Sequence, residues 1–473
     1  MDVPDDVLEL DSWNFRSELG SILRARGGNN NRSLAHIRAF KFEEETQHPV
    51  SAEFCHLSIQ ATERRDSPHI VALHARCESA AGLAGVQCWA LANVRTLFDL
   101  SLYMGPNISQ DLTSSLSFLQ ALIDHLPMLQ ILKLDAKLEH LEPGQRSALA
   151  AEVTRLCSSL HNLSVLRISL DIIDSQWRSF FAALSQLPNL KEVSFVSHQS
   201  GTTASSQDIY RISPGGLPSL HSLYISASPL VCSQVLRTLS ASILKLSWVC
   251  PYVQNQALLA HTLAEVSSYT LSTNRRIPSA SFALSSSATN ALFSIRGIPQ
   301  PVTMSSLTEV HITILDAVPG LAIWTCLQSL FPARGMHTFS LRCPYPLSYR
   351  SEDLLDLFQA WPEIQHLSLN PRPFRGALSW DLPPLAVLAT AARSAPRLES
   401  VAALLDGRSL CLMPSRKWDS VQRLDLGYSV GPSSETRVEE ARTYIRELFP
   451  GAVLVQEDCS LWVQSMACID RLM

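Results

Sequence analysis

The chain has 473 residues, of which 46% are hydrophobic and 17% are charged, and its formal net charge is −5. This length exceeds the usual size of one compact core and favours several domains or one repeat array. The negative charge argues against a nucleic-acid surface, which is normally basic. The acidic start MDVPDDVLELD argues against a signal peptide, and no apolar run reaches the ~18 residues of a membrane span.

The eleven cysteines are scattered along the chain, and no two of them form a C-x-x-C pair. Their odd number and irregular spacing argue against a disulfide framework and favour reduced, mostly buried thiols. We therefore expect a soluble protein of the cytoplasm or the nucleus.

The first 90 residues divide into two predicted parts. Residues 1–33 form a short N-terminal segment with one amphipathic helix over 12–26, followed by the flexible stretch GGNNN. Residues 34–90 carry two apolar patterns, Leu34/Ile37/Phe40/Phe42 and Phe54/Leu57/Ile59, only 17 residues apart. This spacing is too short for a strand and a helix, so we predict a strand-rich cap with tight connections.

Residues 91–473 repeat the pattern L-x-x-L-x-x-L-x-L, as in LPMLQILKL (126–134), LPNLKEVSF (187–195) and LPSLHSLYI (217–225). Twelve copies follow one another at a mean interval of about 29 residues, which falls in the leucine-rich-repeat range. The last five letters of each copy alternate apolar and polar, as a strand does, and stretches such as 114–126 and 351–361 have helical periodicity. The pattern predicts an α/β leucine-rich-repeat solenoid, a horseshoe like that of ribonuclease inhibitor. Its parallel strands line the concave face and its helices the convex face.

The repeat period is interrupted or closed at three places. Residues 198–216 and 274–290 are rich in Gly, Ser and Thr and are predicted as loops, the second one with a degenerate strand near ALFSIRG (291–297). Between these loops, one copy of the repeat is assigned to Leu263/Val266/Tyr269/Leu271. Residues 437–458 are predicted as a helix and a last strand, AVLVQ, that close the array.

The phrases LPNLKEVSF, LPSLHSLYI and WPEIQHLSLN, with the closing IRELFPGAVLV, resemble fungal F-box/leucine-rich-repeat proteins over roughly residues 90–473. The resemblance implies a repeat array that holds a substrate. It also implies an N-terminal F-box, a three-helix module that binds the Skp1 adaptor of a cullin-type ubiquitin ligase. The best match to the F-box opening is VPDDVLEL (3–10), but the repeat pattern starts by Leu34, which leaves too few residues for the module.

We therefore interpret residues 1–33 as a truncated or degenerate F-box remnant. Two functions stay open. One is a non-catalytic interaction scaffold resembling the substrate-recognition part of such a ligase adaptor, and the other is a stand-alone repeat protein with a structural or regulatory binding role and no link to Skp1.

The sequence has no recognisable catalytic constellation. It lacks G-x-x-x-x-G-K-[ST], G-x-G-x-x-G, G-x-S-x-G and H-E-x-x-H, so we predict neither an enzyme nor a cofactor. The one crowding of potential metal ligands does not have zinc-site spacing and is better explained by core thiols and surface imidazoles. Its members are His48, Cys55, His56, His69, His74, Cys77 and Cys88.

The predicted binding surface is the polar side of the strands. Residues that alternate with the Leu positions point away from the core, and extended concave surfaces are what solenoids use to bind partners. We expect a protein partner there, and neither nucleic acid nor a membrane. The candidate contact residues are Lys133, Arg167, Tyr224, Lys245, His311, Arg342 and His366.

Overall fold

Alternating apolar and polar residues form parallel strands throughout the computed structural model of the chain. The structure describes residues 7–24, 37–63, 69–109, 112–136, 142–169, 177–196, 217–226, 243–250, 278–284, 307–315, 324, 327, 330–344, 346–373, 382–391, 393–408, 417–427, 429 and 435–454. The chain divides into two compact units, the first mainly within Met1–Ala227 and the second mainly within Ser242–Met473. This division falls inside the range 91–473 that the sequence analysis treats as one array.

Within its described residues, unit 1 contains eight parallel strands that pair in chain order. They are β1 Val7–Asp11, β2 Ala39–Glu43, β3 Ala72–Cys77, β4 Asp99–Met104, β5 Ile131–Ala136, β6 Val165–Ser169, β7 Glu192–Val196 and β8 Ser222–Ser226. Its described helices are α1 Phe15–Arg24, α2 Ala52–Thr62, α3 Ala80–Ala92, α4 Pro106–Ser109, α5 Leu112–His125, α6 Pro143–Ser159 and α7 Trp177–Leu184. From Val7 to Ser222 the interval between register-equivalent residues averages about 31 residues, which fits one supersecondary unit per repeat.

The part of unit 2 that the structure describes contains a second set of eight parallel strands, again paired in chain order. They are β9 Lys245–Cys250, β10 Ser279–Leu284, β11 Glu309–Ile314, β12 Thr338–Arg342, β13 His366–Leu369, β14 Ser400–Ala403, β15 Arg423–Asp425 and β16 Val453–Leu454. Its described helices are α8 Ser351–Ala360, α9 Val387–Ala391 and α10 Glu435–Leu448. The predicted closing helix and strand near the C-terminus are confirmed as α10 and β16.

The repeated Leu positions build the core between strands and helices. In unit 1, the ring of Phe40 in β2 stacks on Trp89 of α3 with centroids 4.6 Å apart, and Phe42 stacks on Phe54 of α2 at 4.4 Å. Each buried Leu contributes about 1.5–3 kcal/mol, which no single repeat could gain without its neighbours. One side of each strand is therefore fixed by packing, and we call the opposite side, which carries the polar residues, the open face.

The N-terminal segment differs from the F-box prediction. Residues 7–10 of the candidate opening lie in β1, which pairs with β2 from Val7 opposite Ala39 to Asp11 opposite Glu43. Leu8 and Leu10 are buried because the segment alternates like every later strand. The interpretation of residues 3–10 as an F-box opening is wrong for the four described residues of that phrase, while the predicted helix within 12–26 is confirmed as α1.

The prediction for residues 34–90 is wrong in its connections. Phe54, Leu57 and Ile59 lie in helix α2 and not in a strand, and the next strand is β3. The range holds two strand-and-helix units, β2 with α2 and β3 with α3. Both apolar patterns contain residues three apart, a spacing that occurs on one face of a helix as well as just before a strand. Because the second pattern was assigned to a strand, the interval between successive strands was predicted too short.

A second correction concerns the predicted loop 274–290. Residues Ser279–Leu284 of that range form β10, which pairs with β9 on one side and with β11 on the other. The strand between β9 and β11 therefore has the sequence SASFAL, which contains few large apolar residues. The repeat copy assigned to Leu263–Leu271 lies outside the described residues.

Buried polar side chains form hydrogen bonds between neighbouring repeats at the ends of strands. The Glu44 carboxylate after β2 accepts hydrogen bonds from the backbone N–H groups of Val50 (2.7 Å), Glu78 (2.7 Å) and Ser79 (2.9 Å) and from the Ser79 hydroxyl (2.6 Å). In unit 2, Asn370 Oδ1 accepts from the Cys343 N–H at 3.2 Å. These hydrogen bonds satisfy backbone N–H groups that are not paired between strands and that lie where the core excludes water.

Gly427, two residues after the end of β15, is expected to tolerate no side chain. Its φ is +51°, and a Cβ there would lie 1.7 Å from the carbonyl oxygen of Pro371. Gly427→Ala should lower the free energy of unfolding by about 2 kcal/mol through backbone strain and this clash. The matched control is Gly335→Ala, where a Cβ meets nothing within 4 Å. Urea denaturation of both variants checks the prediction, and equal midpoints would refute it.

Candidate functional site

The open face of unit 1 carries a row of polar residues at equivalent positions of its eight strands. The pairing register places Lys41 beside His74, Ser101 beside Lys133, and Lys133 beside Arg167. Neighbouring strands are about 4.8 Å apart, so the side chains of this row follow one another closely across the sheet. We call it the middle row: Glu9, Lys41, His74, Ser101, Lys133, Arg167, Ser194 and Tyr224.

A groove of about 430 Å³ runs over this row from β2 to β7. Its lining includes Lys41, Arg76, Lys133 and Arg167, together with the carboxylates of Glu43 and Asp135. The groove is open to solvent along the sheet face, and its volume lies within the usual range of ligand pockets. Its lining carries more cationic than anionic side chains.

Two cations of the middle row have long ion-pair contacts in neighbouring rows, whereas Lys41 Nζ donates to Glu9 Oε1 within the row at 3.2 Å. Lys133 Nζ lies 3.9 Å from Asp99 Oδ2, and Arg167 Nη2 lies 3.8 Å from Glu192 Oε2. Both cations keep a substantial part of their side chains exposed, 36% for Lys133 and 56% for Arg167. Exposed pairs of this kind contribute only about 0–1 kcal/mol, so an incoming carboxylate can replace them at low cost.

Arg76 is held more firmly than the other cations of the groove. Its Nε donates to Oε1 of Glu78, whose side chain is only 1% exposed, at 3.1 Å. The guanidinium carbon also lies 4.8 Å from the ring centroid of Tyr103 on the next strand. An anchored carboxylate and an aromatic face together orient the guanidinium before any partner arrives.

Three of the predicted binding residues belong to the middle row of unit 1. Lys133 and Arg167 are adjacent in it and line the groove, whereas Tyr224 lies on β8 at the end of the row and outside the groove lining. Partial burial raises the pKa of the Tyr224 hydroxyl, so it remains a neutral hydrogen-bonding group at physiological pH.

The four predicted residues of unit 2 lie in three different rows. His311 lies in the row of Ser247, Ser281 and Ser340, and Arg342 lies in the row of Thr313. His311 Nε2 lies 2.8 Å from Glu309 Oε1, and hydrogen bonds from His311 and Ser279 lower the pKa of the Glu309 carboxyl. His366 shares its row with Thr338 and, through it, with Glu309.

Lys245 does not lie where the sequence analysis placed it. Residues 241–246 match the repeat pattern as Ala241/Leu244/Leu246, and this match predicts Lys245 in the same row as His311. The register instead aligns Lys245 with Ser279 and Glu309, and it aligns Ser247 with His311. Ile243, Leu246 and Trp248 are buried, whereas Leu244 is 52% exposed. The repeat therefore lies two residues further along the chain than the match at Ala241 predicts.

The groove contains three cationic or imidazole side chains that were not predicted from the sequence: Lys41, His74 and Arg76. They lie on β2 and β3, in the range predicted as a cap without regular repeats. The signal was present, because Ile70, Leu73 and Ala75 repeat the apolar spacing of the later copies and are buried.

The crowded histidines and cysteines of the N-terminal region are distributed over separate elements. Cys55 and His56 lie on α2, His74 and Cys77 on β3, and Cys88 on α3. Among the residues that the structure describes, no three His, Cys, Asp or Glu side chains are close enough together to hold a metal ion.

The fold and the open face define an α/β protein with parallel strands in register and a polar, accessible sheet surface. Within the described residues, no helix is both long and apolar enough to span a bilayer. No protein-family model matches the chain, and no curated protein matches it.

Proposed function

We propose that the chain is a leucine-rich-repeat solenoid, with the open faces of its strands on the concave side and its helices on the convex side. The support is the in-order pairing of eight parallel strands in each unit at an interval of about 30 residues. One buried apolar set per repeat, stacked on the next, is how such arrays gain stability.

We further propose that the protein is a non-catalytic interaction scaffold that binds a protein partner on the open face of unit 1. The groove over the middle row carries this proposal, since its lining comes from six adjacent strands of one rigid sheet. Side chains on paired strands keep their spacing, which lets a surface select a partner without first ordering itself.

The partner segment that enters the groove is acidic. The groove lining carries four cationic side chains and only two carboxylates. The cations are Lys41, Arg76, Lys133 and Arg167, and the carboxylates are Glu43 and Asp135. Because the existing ion pairs of Lys133 and Arg167 are long and exposed, Asp or Glu side chains of a partner gain contacts without breaking strong ones.

A peptide library displayed on phage tests this proposal. Selection on the full chain is expected to enrich acidic peptides whose affinity falls as salt is raised. The variant Lys133→Gln/Arg167→Gln should bind them about tenfold more weakly, because two exposed charge contacts contribute about 0.7 kcal/mol each. The matched control is Arg95→Gln/Lys191→Gln, which removes the same charge at exposed positions outside the groove lining. Equal affinity of both double variants would contradict the assignment.

The link to ubiquitin ligation is a separate proposal based on the resemblance to F-box/leucine-rich-repeat proteins. The alternative, a stand-alone repeat protein, is favoured by β1, because Val7–Asp11 is a strand of the sheet and is not free to form part of a helical module. A pull-down of the full chain with Skp1 decides between them. Binding supports the adaptor function, and its absence from a folded chain leaves the stand-alone function.

A further inference from the structure

The groove over the middle row contains two carboxylates that are not neutralised by its cations. Glu43 on β2 and Asp135 on β5 are both exposed and line the groove. Within the residues that the structure describes, no Lys, Arg or His side chain forms an ion pair with either of them. The cations of the groove pair instead with carboxylates outside its lining, which are Glu9, Glu78, Asp99 and Glu192.

Arg76 does not neutralise Glu43, although the two residues are neighbours in the strand register. Its Nε donates to Glu78 Oε1 at 3.1 Å, and its guanidinium carbon lies 4.8 Å from the ring centroid of Tyr103. Tyr103 belongs to β4, which pairs with β3 on the side away from β2 and Glu43. The Glu43 carboxylate therefore remains available to a cation from outside the chain.

Lys133 likewise does not neutralise Asp135, although only one residue separates them on β5. Its Nζ lies 3.9 Å from Oδ2 of Asp99, which belongs to the row on the other side of the middle row. The register neighbours of Asp135 are Tyr103 and Ser169, and neither is a cation. Asp135 is therefore also available to an incoming ammonium or guanidinium group.

The strand register sets the distances between these charges. On β2, Lys41 and Glu43 are two residues apart, which is about 6.6 Å along the strand. Lys133 and Asp135 repeat this arrangement on β5. The two strands are three strand spacings apart, or about 14 Å. An extended segment that crosses the strands covers this distance in about four residues, and its successive side chains point to opposite sides.

We propose, on the basis of the acidic partner proposed above, that the partner segment crosses the strands in an extended conformation and carries two adjacent pairs of opposite charge, four residues apart. In each pair, the acidic residue faces the middle row, where it meets Lys41 at one end and Lys133 and Arg167 at the other. The basic residue next to it faces Glu43 or Asp135. The segment therefore has the charged-pair pattern D-K-x-x-D-K or K-D-x-x-K-D, in which Glu can replace Asp and Arg can replace Lys.

Synthetic peptides of both patterns, with serine at x, are compared with analogues in which glutamine replaces lysine. The full chain is expected to bind the charged-pair peptide of the better-fitting order about tenfold more tightly than its analogue, because the analogue lacks two exposed charge contacts. A surface that selects acidity alone would favour the glutamine analogue, whose net negative charge is larger.

Two outcomes of this comparison would overturn the charged-pair pattern. If the chain binds the glutamine analogues as tightly as the charged-pair peptides, the pattern is wrong while the acidic-partner proposal stands. If the chain binds none of the four peptides, the pattern is also wrong, and the phage selection decides the acidic-partner proposal separately.

A variant of Asp135 tests where the basic residue binds. Asp135→Asn should weaken binding of the charged-pair peptide about threefold, because one exposed charge contact is lost, and should not weaken binding of the glutamine analogue. Asp124→Asn is the matched control, since Asp124 is exposed on α5 and lies outside the groove lining. Isothermal titration calorimetry measures each variant with each peptide at the same salt concentration. An equal effect of Asp135→Asn on both peptides, or no effect on either, would overturn the assignment of Asp135.

Discussion

Replacing Trp361 with alanine is expected to lower the free energy of unfolding of unit 2 by about 3–5 kcal/mol. The side chain is fully buried at the end of α8, where its indole Nε1 donates to the carbonyl oxygen of Leu330 at 3.2 Å. Its ring lies 4.9 Å from that of Phe339 on β12. Truncation would leave a cavity between helix and strand and remove one of the two hydrogen bonds that the Leu330 carbonyl accepts, the other coming from the Ala333 N–H at 2.9 Å.

Hydrogen exchange at increasing urea concentrations measures this effect on the amides of β12 and β13. Trp361→Phe should lower the free energy of unfolding less than Trp361→Ala does. Phenylalanine also loses the hydrogen bond, but it keeps an aromatic ring in the core. Trp13→Ala is the matched control, since that side chain is 63% exposed. A loss below about 1 kcal/mol for Trp361→Ala would mean that the repeat core is not packed as described.

Glu44→Gln is expected to destabilise unit 1 by about 3 kcal/mol or more. The carboxylate is fully buried, and its two oxygens accept four hydrogen bonds from the loop after β2 and from the β3–α3 connection. Hydrogen bonds to a charged group contribute about 1.5–3 kcal/mol each, and the amide would turn an N–H₂ group towards donors that need an acceptor.

Glu43→Gln provides the matched control for Glu44→Gln. Glu43 is the preceding residue, lies exposed on β2 and should change the free energy of unfolding by less than about 0.5 kcal/mol. Urea denaturation followed by circular dichroism compares the two variants with the wild type. Similar midpoints for both would show that the four hydrogen bonds of Glu44 are not made in solution.

The apolar repeat predicted most of the fold, because buried positions at a fixed interval constrain both the strands and their register. Leu132 and Leu134, Val193 and Phe195, and Leu223 and Ile225 are all buried as their phrases indicate. The prediction was wrong where the same apolar residues match either two kinds of secondary structure or two registers of the repeat. Phe54 and Leu57 match a strand entry in spacing and belong to a helix, and Ala241/Leu244/Leu246 matches the template two residues away from the true register.

Other features depend on contacts that no local pattern encodes. Glu44 reads as one of three consecutive acidic residues, yet it is buried because donors 6, 34 and 35 residues away converge on it. Lys133, Arg167 and Tyr224 were predicted on this surface, but the extension of the middle row through Lys41 and His74 depends on the strand pairing of β2 with β3 and of β3 with β4.

The central claim, that the open face of unit 1 selects a protein partner, is tested most directly by crosslinking from the partner. An acidic peptide obtained by selection, carrying a photoactivatable diazirine, would be irradiated with the unmodified chain and its attachment sites mapped by mass spectrometry. The account predicts attachment to groove residues on β2 to β7, such as Tyr103, Lys133 and Ser194, and competition by the unlabelled peptide. Attachment to helices α2 to α7 or to unit 2 instead would contradict it.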